Sequence, residues 1–146
     1  MKKNNEWSIL MNILFFLTPK ADCAHLCSDE SVREALQRME LSGYTALPVL
    51  SSDGAYCGTI TEGDLLWGLK NQCGMDLKAA EQINVMSLPR RRDNLPVRVD
   101  TQIQDLLDRA TEQNFVPVVD DRGSFIGIVT RKSILQFFRK QALTDA

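Results

Sequence analysis

Two short stretches of the chain hold the residue types that could bind or transform a ligand. Thr61–Asp64 (TEGD) and Thr130–Ser133 (TRKS) each follow a β-branched apolar run and precede an apolar run with helical spacing. A threonine between a strand and a helix offers an anion its hydroxyl and the free N–H groups of the first helical turn. The same hydroxyl can instead serve only as the helix N-cap. The pattern therefore leaves open a phosphate-binding turn, a catalytic loop and an ordinary strand-to-helix corner.

The two stretches differ in charge, and this divides the chemistry between them. Asp64 could accept hydrogen bonds from two neighbouring hydroxyls of a ligand, but Glu62 beside it would repel a phosphate. Arg131 and Lys132 could neutralise a phosphate, whereas Ser133 stands where the first stretch has its aspartate. We therefore expect hydroxyl recognition at the first stretch and phosphate recognition at the second.

Other candidate groups support neither catalysis nor a metal site. Cys23, His25 and Cys27 alternate along a short predicted strand and could converge on a metal. A spacing of about 7 Å between such side chains is wide for a tetrahedral site, so packing in a core or a cleft is favoured. The sequence holds no nucleophile–base pattern, no GxSxG and no GxxxxGK. We expect no catalytic residue, no metal and no required cofactor. The arginines at 90–92 could reach a phosphate from the linker, but a solvated connector is favoured.

The composition is that of an ordinary water-soluble protein. The 146 residues carry a formal net charge of −2, which gives no reason to expect a nucleic acid or an anionic membrane as partner. Four cysteines without a CxxC pair favour a reducing compartment, and we expect a cytoplasmic protein. The apolar run Ile9–Leu17 follows two lysines, as in a secretory signal, but Glu6 interrupts the basic region. Apolar residues at 9, 10, 13, 14 and 17 instead predict a buried amphipathic helix.

An internal repeat organises the rest of the chain. Residues 48–66 align without a gap to residues 117–135, with six identities that include two glycines, a proline and a threonine. Each copy predicts a β-α-β-β-α unit. Capping boxes predict that the first helices begin after Ser31 and Thr101, and the second helices are expected over 63–70 and 132–140. Residues 71–95, with prolines around a charged run, are expected to be a linker.

The order of these motifs, present twice, resembles a tandem pair of CBS domains. Each copy contains, in this order, a helix, the sequence PV(V/L), a turn with an acidic residue and a glycine, the sequence Gly-x-(I/V)-Thr and a second helix. The resemblance implies an α/β (α+β) fold in which two β-α-β-β-α units pack about a pseudo-twofold axis. We expect the first unit, with its lead-in helix, over residues 1–70, the linker over 71–95 and the second unit over 96–146. The stretches GYTALPVL, TEGDLLW and IVTRK also resemble small bacterial two-CBS proteins, some of which bind cyclic di-AMP.

The resemblance implies two ligand clefts, each combining the early strands of one unit with the threonine corner of the other. The residues expected in the first cleft are Asp22, Ala24, Tyr44, Thr45, Ala46, Thr130, Arg131 and Lys132. Those expected in the second cleft are Thr61, Asp64, Arg98, Val99, Asn114 and Phe115. A cyclic dinucleotide has esterified 3′ oxygens and needs a ribose aspartate less, so Ser133 disfavours AMP or ATP in the first cleft more than cyclic di-AMP.

The expected function is that of a non-catalytic sensor. An adenine nucleotide (AMP, ATP or cyclic di-AMP) would act as a regulatory ligand, and its binding would change how a homodimer engages an unidentified target protein. One alternative is a structural or adaptor dimer with vestigial clefts. Another is a redox or metal sensor built on Cys23, His25 and Cys27.

Overall fold

A computed structural model describes residues 12–144 of the chain. Its contacts divide the chain into two compact units. One, the continuous unit, comprises residues 24–93; the other, the split unit, joins the segment up to Cys23 to the chain from Asn94 onward. The segment that precedes the first repeat is thus part of the same unit as the second repeat, whereas we expected it in one unit with the rest of residues 1–70.

The described residues form five α-helices and seven β-strands, in a mixed α+β fold. In chain order they are β1 (Leu17–Pro19), β2 (Leu26–Cys27), α1 (Val32–Ser42), β3 (Ala46–Leu50), β4 (Tyr56–Thr61), α2 (Glu62–Gln72), α3 (Leu77–Ala80), β5 (Val97–Arg98), α4 (Ile103–Glu112), β6 (Phe115–Val119), β7 (Phe125–Thr130) and α5 (Arg131–Thr144). The continuous unit has the strand order β2-β3-β4, and the split unit has the order β1-β7-β6-β5. The predicted fold class and the β-α-β-β-α order of each copy are confirmed.

The two hairpins of the repeat have the same register. Strand β3 pairs with β4, and β6 with β7, so that residue numbers differ by 69 throughout, and both pairings shift register at the same place. The proline of each inner strand, Pro48 or Pro117, lies before the residues that pair with the short parallel strand β2 or β5. Its missing N–H therefore costs no ladder hydrogen bond on that side.

The first halves of the copies match with a different offset. Leu26 pairs with Val49, whereas Val97 pairs with Val118, so residue numbers in this half differ by 71. In the first copy the helix and the connection to the next strand are each one residue longer, and α1 ends on Gly43 in a left-handed conformation (φ 72°). This is the backbone region that glycine enters without steric cost.

The different offset also corrects one predicted helix start. The Ser31 hydroxyl accepts a hydrogen bond from the Glu34 N–H, as predicted. Helix α4, however, begins after Gln102, which makes no side-chain cap, and the prediction of Thr101 as its N-cap is wrong. The Thr101 hydroxyl instead accepts a hydrogen bond from the N–H of Arg98.

Each unit has its own hydrophobic core. The first helices supply part of it, through Val32, Ala35 and Met39 in the continuous unit and Leu106 and Ala110 in the split unit. The sheets supply the rest, through the fully buried residues Leu47, Val49, Ile60, Val116, Val118 and Val129. The cores hold the ends of β4 and β7 in place, and the two threonine corners lie at those ends.

The expected linker is packed against the continuous unit. Ala80, Val85 and Leu88 are buried in its core, and a Cβ on Gly68 would lie only 2.7 Å from the Leu88 side chain. Arg90 is half-buried, so the interpretation of residues 90–92 as a solvated connector is wrong for that residue. Arg91 and Arg92 are exposed.

The predicted N-terminal amphipathic helix is replaced by a shorter structure in the part that can be compared. Residues 9 and 10 lie outside the described residues. Ile13–Phe16 form a single 3₁₀ turn, in which Ile13 and Phe16 are buried and Leu14 is half exposed. The chain then becomes extended as β1 and pairs antiparallel with β7.

Candidate functional site

The first threonine corner is a closed capping box. The Thr61 hydroxyl accepts a hydrogen bond from the Asp64 N–H (3.0 Å), and Asp64 Oδ2 accepts one from the Thr61 N–H (3.0 Å). These two bonds satisfy main-chain donors that the start of α2 would otherwise leave unpaired. Only 6% of Asp64 is exposed. The predicted ribose acceptor is therefore a buried capping residue in this structure.

The second oxygen of Asp64 is occupied by the linker. The main-chain N–H of Arg91 donates to Oδ1 over 3.2 Å. Each carboxylate oxygen thus accepts a hydrogen bond from the protein backbone. The Arg91 segment therefore lies against the carboxylate that a ribose diol would use.

Asp93 fixes the same segment to strand β4. Its Oδ1 accepts hydrogen bonds from the Thr59 N–H (2.9 Å) and from Nε of Arg90 (2.8 Å). A Cβ on Gly58 would lie 2.8 Å from that oxygen, so the absence of a side chain at Gly58 admits the carboxylate. Burial by itself raises the pKa of the Asp93 carboxyl, but the hydrogen bonds from Arg90 and Thr59 outweigh it and hold the pKa below its usual value.

Sequence reasoning missed Asp93, although a signal for it exists. With the offset of 71 that relates the first halves, LTPKAD (17–22) aligns with LPRRRD (88–93), and Asp93 corresponds to Asp22. The repeat therefore extends into the segments that precede each copy. In the first copy, the first three residues of this extension (17–19) form β1, which pairs with β7. A Cβ on Gly127 of β7 would clash with the Thr18 carbonyl.

The second threonine corner is capped without a carboxylate. The Thr130 hydroxyl accepts a hydrogen bond from the Ser133 N–H (3.1 Å), and the Ser133 hydroxyl donates to the Thr130 carbonyl (2.9 Å). Arg131 and Lys132 lie in the first turn of α5 and are exposed. This corner therefore combines the N-terminus of a 14-residue helix with two adjacent cationic side chains.

The Arg131 guanidinium is held in place by the preceding helix of its own unit. Its Nε donates to the Ala110 carbonyl (2.8 Å), and its Nη2 lies 3.5 Å from the Thr111 carbonyl. Both acceptors belong to the last turn of α4, so Arg131 caps that helix. These contacts use two of the five N–H groups of the guanidinium, and they fix its position.

The other residues expected in the first cleft lie at the ends of elements or in the loops next to them. Asp22 is exposed at the end of a 3₁₀ turn, Ala24 packs against the core of the continuous unit, and Tyr44 is 58% exposed. The Thr45 carbonyl accepts a hydrogen bond from the Glu62 N–H, and Ala46 pairs with Thr61.

The residues expected in the second cleft follow the same pattern. Arg98 is exposed, and its Nε lies 3.5 Å from Oδ1 of Asp100. Val99 packs against the core of the split unit. The Asn114 carbonyl accepts a hydrogen bond from the Arg131 N–H, and buried Phe115 pairs with Thr130. Within each unit the structure therefore brings Thr45 and Ala46 to Thr61, and Asn114 and Phe115 to Thr130. The predicted clefts combine residues of both units and remain a prediction.

The cysteines do not form a reactive or metal-binding cluster in the part of the chain that the structure describes. No group of three or more His, Cys, Asp or Glu side chains there could hold a metal ion. Cys23 is buried, and its Sγ donates to the carbonyls of Thr18 and Pro19. Burial raises the pKa of the Cys23 thiol, which disfavours the nucleophilic thiolate.

Among residues 12–144, no helix is long and apolar enough to cross a lipid bilayer. The longest, α5, has 14 residues, whereas a spanning helix needs about 20.

The two β-α-β-β-α copies, each ending its hairpin at a threonine corner, define a tandem-repeat module. Residues 17–71 and 85–140 both match the family model of the CBS domain, and the chain therefore belongs to the CBS-domain family. Proteins of this family are generally regulatory rather than catalytic.

Solved structures share the fold over nearly the whole chain. A CbpB protein in complex with c-di-AMP has a TM-score of 0.84 and 22% identity, covering 99% of this chain and 96% of that one. A CBS-domain protein from Streptococcus pneumoniae has a TM-score of 0.82 and 26% identity, with 97% of each chain covered. CBSX2 in complex with AMP has a TM-score of 0.68 and 26% identity, covering 87% of this chain and 95% of that one.

Curated relatives match over only part of their length. A homoserine O-acetyltransferase from Methanohalophilus mahii is 30% identical over 106 residues, which are 71% of this chain and 20% of that protein. The uncharacterized protein MK0525 from Methanopyrus kandleri is 28% identical over 107 residues, 73% of this chain and 53% of that protein. The chain thus spans a fifth to about half of the length of these relatives.

Proposed function

We propose that the protein is a non-catalytic sensor that binds an adenine nucleotide through the corner at Thr130–Ser133. The observation that carries the proposal is the pair of exposed cations, Arg131 and Lys132, on the first turn of α5. The dipole of α5 and two positive charges act there in the same direction on a phosphate. The complexes of a CbpB protein with c-di-AMP and of CBSX2 with AMP support an adenine nucleotide as the ligand.

The charge of the two corners explains why the phosphate is assigned to the second. The first turn of α2 carries Glu62 and Asp64, which would repel an anion, whereas that of α5 carries Arg131 and Lys132. The contacts of Arg131 with α4 fix its guanidinium before a ligand arrives. A group that is already ordered loses less conformational entropy on binding.

The lack of an aspartate at position 133 of the second corner favours a cyclic dinucleotide over AMP or ATP. Ser133 stands where the first corner has Asp64, and its hydroxyl already donates to the Thr130 carbonyl. AMP and ATP present a free 2′,3′-diol, which a carboxylate accepts best. We therefore infer that c-di-AMP binds this corner more tightly than AMP or ATP.

We further propose that the signalling species is a homodimer, that it is located in the cytoplasm, and that it binds neither nucleic acid nor membranes. Binding would change the population of dimer arrangements and so the affinity for a target protein, as any regulatory ligand must. An adaptor that dimerises without a ligand is the competing function. The occupation of Asp64 by the chain itself favours that alternative for the first corner.

Calorimetric titration with c-di-AMP, AMP and ATP tests the proposal. We expect Lys132→Ala to weaken c-di-AMP binding at least about tenfold, because a charge-assisted hydrogen bond contributes roughly 1.5–3 kcal/mol. Lys140→Ala, an exposed lysine farther along the same helix, is the matched control and should bind like the wild type. Arg131→Ala needs a parallel melting curve, because it also removes the cap of α4.

The competing outcomes separate clearly. Absence of binding by all three nucleotides would leave the adaptor as the function. Equal losses in Lys132→Ala and Lys140→Ala would mean that the helix attracts the ligand only through general charge.

A further inference from the structure

The segment Arg90–Asp93 lies on the one corner that carries the ribose-type carboxylate. Its Arg91 N–H donates to Asp64 Oδ1, and its Asp93 carboxylate accepts the Thr59 N–H. The guanidinium of Arg90 holds the other end, since Nη1 donates to the Met86 carbonyl (3.0 Å). We refer to the segment Arg90–Asp93 as the latch.

We propose that the latch occupies the Thr61–Asp64 corner in place of a nucleotide, and that Asp93 thereby selects against ligands that need Asp64. The proposal rests on the proposed function, because it concerns which adenine nucleotide the chain accepts. A ligand with a free ribose diol, such as AMP, must displace the latch before Asp64 can accept its hydroxyls. A cyclic dinucleotide bound through Thr130–Ser133 meets no such competitor.

Burial of the carboxylate makes the competition direct. Asp64 is 6% exposed, and its two oxygens already accept main-chain N–H groups. A diol approaching from solvent would need the position of the Arg91 N–H on Oδ1. The free energy of opening the latch is therefore subtracted from the binding free energy of the diol ligand.

The threonine corner of the split unit lacks the carboxylate that the latch contacts. There the carboxylate is replaced by Ser133, whose hydroxyl is used within the corner on the Thr130 carbonyl. The lead-in segment that corresponds to the latch forms β1 and a short turn, and the exposed Asp22 takes the place of Asp93. The contact between latch and carboxylate thus exists in only one of the two copies among the described residues.

Two variants open the latch from opposite sides. Asp93→Ala removes the acceptor of the Thr59 N–H and the partner of Arg90. Gly58→Ala places a Cβ 2.8 Å from Asp93 Oδ1 and displaces the carboxylate without altering it. We expect both to raise the affinity for AMP about tenfold or more, because the hydrogen bonds lost are charge-assisted, and to change c-di-AMP affinity less than about twofold.

Matched controls exist for both variants. Arg91→Ala removes a side chain from the latch but keeps the main-chain N–H that Asp64 accepts. Gly63→Ala adds a Cβ to the same corner with nothing nearer than the Thr61 hydroxyl at 3.7 Å. Both should bind AMP and c-di-AMP like the wild type.

Limited trypsin digestion of the wild type gives a readout that does not depend on any variant folding. Arg90, Arg91 and Arg92 are cleavage sites within the latch. Displacement by AMP should accelerate cleavage there severalfold, since proteolysis follows the population of the open form. A ligand that left the latch closed would leave the rate unchanged or reduce it.

The outcomes distinguish this proposal from the function on which it rests. If c-di-AMP binds but Asp93→Ala and Gly58→Ala gain no AMP affinity, the latch proposal is overturned and the sensor remains. Protection of residues 90–92 by AMP overturns it as well. If no nucleotide binds the wild type or any variant, both proposals fail.

Discussion

At the scale of single residues, Asp64 and Asp93 illustrate how main-chain N–H groups stabilise carboxylates that are buried or half-buried. Asp64 obtains two main-chain N–H donors, and Asp93 obtains one together with the guanidinium of Arg90. Burying such a group without donors would cost several kcal/mol. Both carboxylates therefore hold the linker segment Arg90–Asp93 against β4 and the start of α2, whatever ligand the corner accepts.

Tyr56 gives a prediction on pH dependence. Its hydroxyl lies 2.6 Å from the Thr59 hydroxyl, and burial raises the pKa of the phenol to about 12. A group whose pKa is raised on folding stabilises the native state below its unfolded pKa of about 10 and loses that contribution as the pH rises. Between pH 10 and 12 we expect the wild type to lose roughly 1–3 kcal/mol more unfolding free energy than Tyr56→Phe.

Urea unfolding at several pH values measures this difference, and absorbance at 295 nm checks its cause. The chain has two tyrosines, so Tyr44→Phe is the matched control, because Tyr44 is exposed. In Tyr44→Phe the remaining phenol is that of Tyr56, and it should titrate late. Titration of this phenol near pH 10 would contradict the prediction.

The residue scale also shows what the sequence could predict about the site. The threonine corners were placed correctly because T-x-x-D and T-x-x-S follow strands in both copies. The capping role of Asp64 lies within the same four residues and was open to prediction. The Arg91 N–H on Asp64 and the Asp93 carboxylate on Thr59 were not, because 27 and 34 residues separate the partners.

At the scale of elements, the first helices of the two copies differ in how they begin. Helix α1 has the Ser31 hydroxyl as its cap, whereas Gln102 at the start of α4 makes no side-chain cap. Gln102→Ser should therefore stabilise the protein by about 0.5–1 kcal/mol, and Ser31→Ala should destabilise it by about 1 kcal/mol.

Thermal unfolding of the two variants checks the sign of each change. Thr101→Ala serves as the contrast, since the Thr101 hydroxyl binds the Arg98 N–H and does not cap the helix. Destabilisation by Gln102→Ser would show that α4 begins elsewhere in solution.

The second helices were predicted to within four residues at each end, and the cap of α4 was misplaced by one residue. Alternating and apolar runs around Pro48, Pro117 and the glycine turns are local signals, and the hairpins followed them. The misplaced cap at Thr101 came from an S/T-x-x-E/Q pattern that the chain does not use. Only the pairing of β2 and β5 reveals that the two halves of the repeat have different offsets.

At the scale of the whole molecule, exposed apolar side chains on the second helices support the proposed homodimer. Leu66 and Leu135 occupy equivalent positions and are 52% and 61% exposed, and Trp67 lies beside the first of them. Apolar side chains at matching places in both copies are suited to a symmetric interface.

The double variant Leu66→Glu/Leu135→Glu should convert the dimer to a monomer. Light scattering after size-exclusion chromatography should give about 33 kDa for the wild type, two chains in a closed pair, and 16.5 kDa for the variant. Ser52→Glu, in the exposed turn between β3 and β4, is the control and should remain dimeric. A monomeric wild type, or a dimeric double variant, would contradict the prediction.

The pairing of β1 with β7 has a consequence for biosynthesis. Leu17 and Val129 leave the ribosome roughly 110 residues apart, so β1 must wait for the synthesis of β7 before it can pair. The continuous unit needs no later residue than Asp93 and can complete its sheet before β7 has been made. Translation thus sets an order of folding, in which the sheet inserted between the two segments of the split unit can form first.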